Sequence, residues 1–190
     1  MSSAEQLKLD IGCGGRGSRQ KGFIGIDTWP RPEGKSPEEY LQLDFVRDKL
    51  PWSSNSVDQA IALHLIEHLD LKEGQRFFKR AMDLLKPKAT LTVTCPDLRL
   101  LATAYVSRDQ EFLKRKHLRG GKFIWPGDTL ADRLNQAIHQ QGHKWAYDQE
   151  SLLYHARRAV GEKARIIPMP GDWRWWTRPD HETGIVLTKR

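Results

Sequence analysis

The chain has 190 residues, 38% hydrophobic and 29% charged, with a formal charge of +7 at pH 7. That length suits one domain with a real core, and no apolar run approaches the ~20 residues of a membrane span. Two cysteines, Cys13 and Cys95, exclude a disulfide framework, and the first residues lack a basic-then-apolar leader pattern, so a cytoplasmic protein is expected.

The positive charge favours an acidic partner or substrate without choosing one. Basic residues gather in the second half, at Lys114, Arg115, Lys116, Arg119 and Lys122, then Arg157, Arg158, Lys163 and Arg165. A solvated surface explains them equally well.

Leu7, Leu9 and Ile11 alternate as in a strand, which runs into Gly12-Cys13-Gly14-Gly15-Arg16-Gly17. Ile24-Gly25-Ile26-Asp27 repeats the pattern and ends in an acid. Ligands of open α/β sheets bind at the carboxyl ends of strands, so these two ends form a candidate site. Gly12, Gly14 and Gly17 formally match a dinucleotide fingerprint. That fingerprint needs a helix N-terminus after the loop to hold pyrophosphate. Here a short polar run, Ser18 to Gly22, leads straight into the next strand, and Asp10 would repel a dianion. A cationic ligand suits Asp10 better. S-adenosylmethionine has an ammonium group, a sulfonium and no phosphate; Asp10 can meet its cationic end and Asp27 its ribose diol. The bland alternative is a tight turn with solvated acids.

Residues 28–39 read as a loop with three prolines, in which Ser36-Pro37-Glu38-Glu39 can form one helical turn. Tyr40 to Asp44 alternates as a short strand, and Val57 to Leu63 as another. His64-Leu65-Ile66-Glu67-His68 then matches the H-x-x-E-H zinc-peptidase pattern. That motif needs both histidines on one helical face, whereas His64 follows a strand directly, so no metal is expected. Leu71, Phe78, Met82 and Leu85 space a helix over 70–86, with Asp70 as N-cap and Pro87 as stop. A strand over Thr90–Cys95 ends at Pro96-Asp97, and a helix follows through Leu98, Leu101, Ala102 and Tyr105. Asp97 can cap that helix or act on an acceptor. Residues 106–147 are the least regular stretch. Asp148 caps a helix through Leu152, Leu153, Ala156 and Val160, ended by Gly161. Arg165–Pro168 and Gly184–Thr188 read as the last strands. Between them, Trp173 to His181 combines three tryptophans with two arginines, able to stack on bases or to pack over the sheet edge.

Leu9-Asp10-Ile11-Gly12-Cys13-Gly14, followed by Asp27, resembles motifs I and II of the class I S-adenosylmethionine-dependent methyltransferases. The short gap between them is similar to a compact bacterial and phage group of predicted methyltransferases with a shortened first helix. The likeness covers at least residues 7–155, including His64–His68, Leu84–Pro87 and His143–Asp148; it departs where Lys88-Ala89 replaces a glycine pair. It implies a Rossmann-like three-layer α/β sandwich, with a mostly parallel seven-stranded sheet of order 3-2-1-4-5-7-6 and an antiparallel last strand. One domain is expected over 1–190, with an acceptor-side insertion at 106–147. S-adenosyl-L-methionine is the implied cofactor, bound by Asp10, Gly12, Cys13, Gly14, Asp27, Thr28, Asp44, Phe45 and His64. Asp44 and the Phe45 amide are assigned to adenine, though Asp44 can also simply cap a turn. His64, Asp97 and His143, in falling order, are the candidate bases for an acceptor that must lose a proton. No Asn/Asp-Pro-Pro-aromatic tetrad is present, which disfavours amino-methylation of DNA adenine. A hydroxyl or carboxyl on a small molecule or glycan is the leading acceptor. The alternatives are a non-catalytic nucleic-acid-binding protein using the basic insertion and the Trp-rich loop, and a zinc hydrolase.

Overall fold

The computed structural model describes residues 6–15, 17–18, 20–111, 118–119, 122–123, 129–139, 142–169 and 182–190. The strands are β1 (Lys8–Ile11), β2 (Ile24–Asp27), β3 (Tyr40–Gln42), β4 (Val57–Leu63), β5 (Leu85–Pro96), β6 (Leu118–Arg119), β7 (Lys122–Phe123), β8 (Ala164–Pro168) and β9 (Glu182–Lys189). The helices are α1 (Leu71–Leu84), α2 (Leu98–Val106), α3 (Leu130–His139) and α4 (Gln149–Val160). Seven strands form one sheet in the order β3-β2-β1-β4-β5-β9-β8. All pairs from β3 to β5 are parallel, and β9 runs antiparallel to both β5 and β8. This is the expected 3-2-1-4-5-7-6 order. The pair β6–β7 forms a separate two-stranded ribbon.

The parallel strands are buried on both faces, so their sequences read as apolar runs as much as alternations. Leu9, Ile11, Ile26, Ala60, Ala62, Leu91 and Val93 belong to one core with Phe77, Phe78, Ala81 and Met82 of α1 and Leu152 and Ala156 of α4. Asp70 caps α1 as the sequence suggests: its side chain accepts from the Glu73 amide at 2.8 Å, and Glu73 accepts from the Asp70 amide at 3.0 Å. Asp148 caps α4 in the same way, accepting from the Ser151 amide at 2.8 Å.

Two local expectations change. Helix α1 ends at Leu84, and Pro87 lies inside β5 instead of beyond a helix end. Leu85 is extended and pairs with Val57, whereas Thr90 pairs with Gln59, so the chain bulges in between. Lys88 sits in that bulge at φ 69°, the left-handed region a glycine would occupy without a Cβ penalty. The second change is α3, inside the stretch expected to be irregular. Leu130 and Leu134 are one turn apart and pack on Leu101 and Ala104 of α2. Thr129 and Asp132 close its N-terminus, the Thr129 hydroxyl donating at 2.8 Å to the Asp132 carboxylate and accepting from the Asp132 amide at 3.1 Å. No helix among the described residues is long and apolar enough to cross a membrane.

Strand β2 lies close under the loop that follows β1. A Cβ built on Gly25 stands 2.8 Å from Cys13 Sγ, 2.9 Å from the Ser18 amide nitrogen and 3.1 Å from Tyr40 Cδ2. Gly25→Ala is therefore an overpacking change against backbone as well as side chains. It is expected to cost about 1–3 kcal/mol, read as a lower urea midpoint at unchanged m-value.

Candidate active site

The carboxyl edge of the sheet is shaped by Gly12, which leaves β1 at φ +76°. The amides of Gly12 and Cys13 both donate to the Ile26 carbonyl, at 2.7 and 3.3 Å, which folds the loop onto β2. A Cβ on Gly12 would stand 2.8 Å from Leu65 Cδ1 and 2.9 Å from Leu65 Cβ, so Leu65, just past β4, rests on bare backbone. The Asp27 carboxylate is held in place by the amides of Gly14 at 2.7 Å and Trp29 at 3.2 Å.

A cavity of about 190 Å³ opens between these elements. Gly12, Asp27, Thr28, Asp44 and Phe45 line it, together with Leu65. The remaining expected cofactor residues, Asp10, Cys13, Gly14 and His64, are not part of its wall. Asp10 is buried below the loop and accepts from the Ser18 hydroxyl at 2.7 Å. Burial, reinforced by the charges of Asp10 and Asp27, pushes the Cys13 thiol up to about 12, so Cys13 is a packing group and no nucleophile.

Asp44 organises the wall after β3. Its carboxylate accepts from the amides of Val46 at 2.8 Å and Arg47 at 3.0 Å and from the Arg47 guanidinium at 2.7 Å. Its own amide donates to Asp48 at 2.7 Å. These turn bonds leave out the Phe45 amide. The Phe45 ring packs on Phe77 with centroids 5.7 Å apart.

The same cavity has residues that sequence patterns did not mark. Glu73, at the start of α1, pairs with Arg47 and accepts from Lys144 Nζ at 2.9 Å, and all three line the cavity. The Asp70 amide, then the Lys144 and Arg47 charges, hold the Glu73 carboxyl below the usual glutamate range against the opposing effect of burial. In sequence Glu73 reads only as one charged position of the 70–86 helix, and Lys144 is 71 positions away. Nothing local links them.

Beyond Leu65 lies the other side of the edge. His64 ends β4 in the left-handed region, φ +60°, and its amide donates to the Thr94 carbonyl at 3.0 Å. His68 closes a 3₁₀ turn over Ile66–His68. The two histidines thus do not share an α-helical face, and the zinc-peptidase arrangement is not formed. His64 Nδ1 lies 2.9 Å from Glu67 Oε1 and Nε2 lies 2.7 Å from Glu182 Oε1. Partial desolvation pulls the imidazole pKa down, although 43% of the side chain stays exposed, and the hydrogen bonds and charges of these two carboxylates outweigh it and raise it to about 10. His64 is a doubly donating cation at neutral pH.

Asp97 accepts from the amides of Arg99 at 2.8 Å and Leu100 at 3.4 Å, which makes it the N-cap of α2. His143 meets His68 edge to face, ring centroids 4.8 Å apart. The amides of Lys144 and Trp145 both donate to the Glu67 carbonyl, at 2.7 and 3.2 Å, and bring His143 to this edge. Of the three candidate bases, the structure gathers His64 and His143 around Glu67 and gives Asp97 the capping role. The Trp173–His181 loop and the Lys114–Lys116 part of the basic run lie outside the described residues.

Residues 9–93 match a family described as a methyltransferase domain. No curated protein matches the sequence. Among solved structures, the chain is similar to the small RNA methyltransferase HEN1, with a TM-score of 0.61 and 14% identity over 99% of this chain. It spans only 24% of HEN1. It is also similar to an S-adenosylmethionine-dependent methyltransferase from Archaeoglobus fulgidus, with TM-score 0.58 and 15% identity, covering 97% of this chain and 86% of that one. The N-methyltransferase NodS from Bradyrhizobium japonicum, solved with S-adenosyl-L-homocysteine, gives 0.54 and 13%, covering 99% and 80%. The fold is that of the class I S-adenosylmethionine-dependent methyltransferases. Beyond the shared fold, the match to the methyltransferase-domain family covers residues 9–93, from β1 into β5.

Glu73→Gln keeps the capping hydrogen bonds and removes the charge that Arg47 and Lys144 share. It is expected to lower stability by about 1–2 kcal/mol at pH 7, a figure discounted because both cations are partly solvated. A depressed carboxyl pKa stabilises the fold above the ordinary glutamate pKa of about 4.3, and that contribution is lost as pH falls through the folded value. Urea unfolding of both proteins from pH 7 down to pH 3 is expected to show the gap closing at the acid end.

Proposed function

We propose that this protein transfers the methyl group of S-adenosylmethionine to an oxygen nucleophile, a hydroxyl or carboxyl, on a small molecule or glycan. The observation that carries the reading is the cavity along successive strand ends, lined by Gly12, Asp27, Asp44 and Phe45 and closed by Leu65. Each oxygen of Asp27 is anchored by one main-chain amide, and Oδ1 also accepts a long hydrogen bond from the Thr28 hydroxyl at 3.5 Å, which a ribose hydroxyl would displace to reach both oxygens. Thr28 flanks that position. Asp44 and the Phe45 amide take the adenine edge. The ammonium end lies toward Gly12, the member of the glycine loop that lines the cavity, with Asp10 buried beneath the loop.

When bound, S-adenosylmethionine supplies an electrophilic methyl group on a sulfonium. The residues of this chain hold donor and acceptor in line, and positioning is the larger part of such catalysis. His64, held as a cation by Glu67 and Glu182, is not available to take a proton; it fixes the end of β4 to the start of β9. Asp97 is engaged as a cap. His143 lines a small cleft with Glu67, Pro96 and Leu101, and we assign the approach of the acceptor to that cleft.

Calorimetric titration of the full chain with S-adenosylmethionine and S-adenosylhomocysteine tests the reading. Binding is expected for both, weakened about 10–100-fold in Asp27→Ala, the loss of two hydrogen bonds to a charged group. Absence of binding to the wild type overturns the proposal; full binding by the variant overturns the ribose assignment alone.

A further inference from the structure

At the border of the cofactor cavity, which His68 lines, Glu67, His68 and His143 each bring a ligand atom to within 4.8 Å of the other two. Glu67 is only 2% exposed. One of its carboxylate oxygens is engaged by His64 at 2.9 Å. The other, Oε2, is buried and has no hydrogen-bond partner among the described residues. Buried carboxylate oxygens are ordinarily satisfied, and one left over beside two imidazoles is a place for a cation.

The backbone holds the three groups together. The turn carrying Glu67 and His68 is closed by the His68 amide donating to the Leu65 carbonyl at 2.9 Å. The Glu67 carbonyl receives both the Lys144 and the Trp145 amides, which sets His143 against His68. Side chains from two distant segments therefore converge before any ligand arrives.

We infer that Glu67, His68 and His143 form a binding site for one first-row divalent metal ion of the zinc, cobalt or manganese type. Two imidazoles and one carboxylate are a nitrogen-rich set that suits these ions better than the all-oxygen shells of calcium or magnesium. Ligand atoms about 2.1 Å from a tetrahedral metal stand ~3.4 Å apart, so a pair at the 4.8 Å limit closes by about 1.4 Å through side-chain torsions. Three protein ligands leave a coordination position open, the arrangement of reactive rather than purely structural sites. His68 lines the cofactor-side cavity, and Glu67 and His143 line the cleft on the other side. The open position thus lies between them. Given the methyl-transfer reading above, an acceptor oxygen bound there is both oriented and acidified by the metal. His64, which the H-x-x-E-H pattern would make a ligand, is instead a positioning residue for the Glu67 carboxylate. The proposed site departs from the sequence-based expectation of no metal.

Metal-stripped full-length protein titrated with Co²⁺ provides the test. One equivalent is expected to bind, with visible absorption bands that Zn²⁺ removes by displacement. His68→Ala and His143→Ala are each expected to weaken binding about 100-fold or more, with far-ultraviolet circular dichroism unchanged. Should either variant fail to fold, histidine ring resonances of the wild type are followed by NMR during Zn²⁺ addition, and two imidazoles are expected to shift together. No stoichiometric Co²⁺ uptake, uptake undiminished in both folded variants, or ring resonances unmoved by Zn²⁺ overturns the site. S-adenosylhomocysteine calorimetry on the metal-free protein keeps the two readings apart: its failure strikes methyl transfer and leaves the metal result standing.

Discussion

The contact between Gly12 and Leu65 couples the two halves of the site. Strands β1 and β4 are parallel neighbours, so the chain leaves both at the same edge and the two exits compete for space. With no side chain at residue 12, Leu65 can lie on the backbone of the glycine loop. That fixes the start of the Ile66–His68 turn, whose Ile66 is fully buried. The Glu67 carbonyl of this turn then anchors residues 144 and 145. A single run of contacts leads from the glycine loop, through Leu65, to His143. A larger residue at 12 would disturb both ends of it, through sterics and through the positive φ.

Where local chemistry decided the outcome, the sequence could be read directly. Leu9 and Ile11, then Ile24 and Ile26, alternate along two strands of the central sheet, and Asp27 closes the second of them at the ligand edge. Asp70 and Asp148 are legible as caps because a carboxylate followed by a polar residue at N3 satisfies amides that no helix can satisfy for itself. The failures have physical causes too. Pro87 reads as a helix stop, yet a bulge in β5 absorbs it, with Lys88 in a conformation that composition cannot announce. Helix α3 was hidden by its polar surroundings, although Thr129, Asp132, Leu130 and Leu134 carried a cap and a stripe. The pairing of Glu73 with Lys144 depends on tertiary approach, which no local pattern encodes.

The net charge of +7 says little about the site itself. The carboxyl edge gathers Asp10, Asp27, Asp44, Glu67, Glu73 and Glu182, and the cations Arg47, Lys144 and His64 there are bound to members of that set. A pocket of this kind favours a cationic donor, whatever the surface as a whole attracts. The fixed dipoles and charges are held by main-chain amides, so little reorganisation is needed when a ligand enters.

The placement of β9 between β5 and β8 also governs how the sheet is assembled. Thr90 of β5 pairs with Thr188 of β9, almost a hundred residues further along. Contacts so distant in sequence form late, because the loop entropy must be overcome before they contribute. Until residues 182–189 are in place, β5 offers a long edge of Leu91, Val93 and Cys95 with unpaired amides and carbonyls. An emerging chain thus passes through an interval in which its longest strand is open to pairing with other chains. The insertion that separates a chemically active edge from its last structural strand carries a kinetic hazard, and the hydrogen-bonded β8–β9 pair is what ends it.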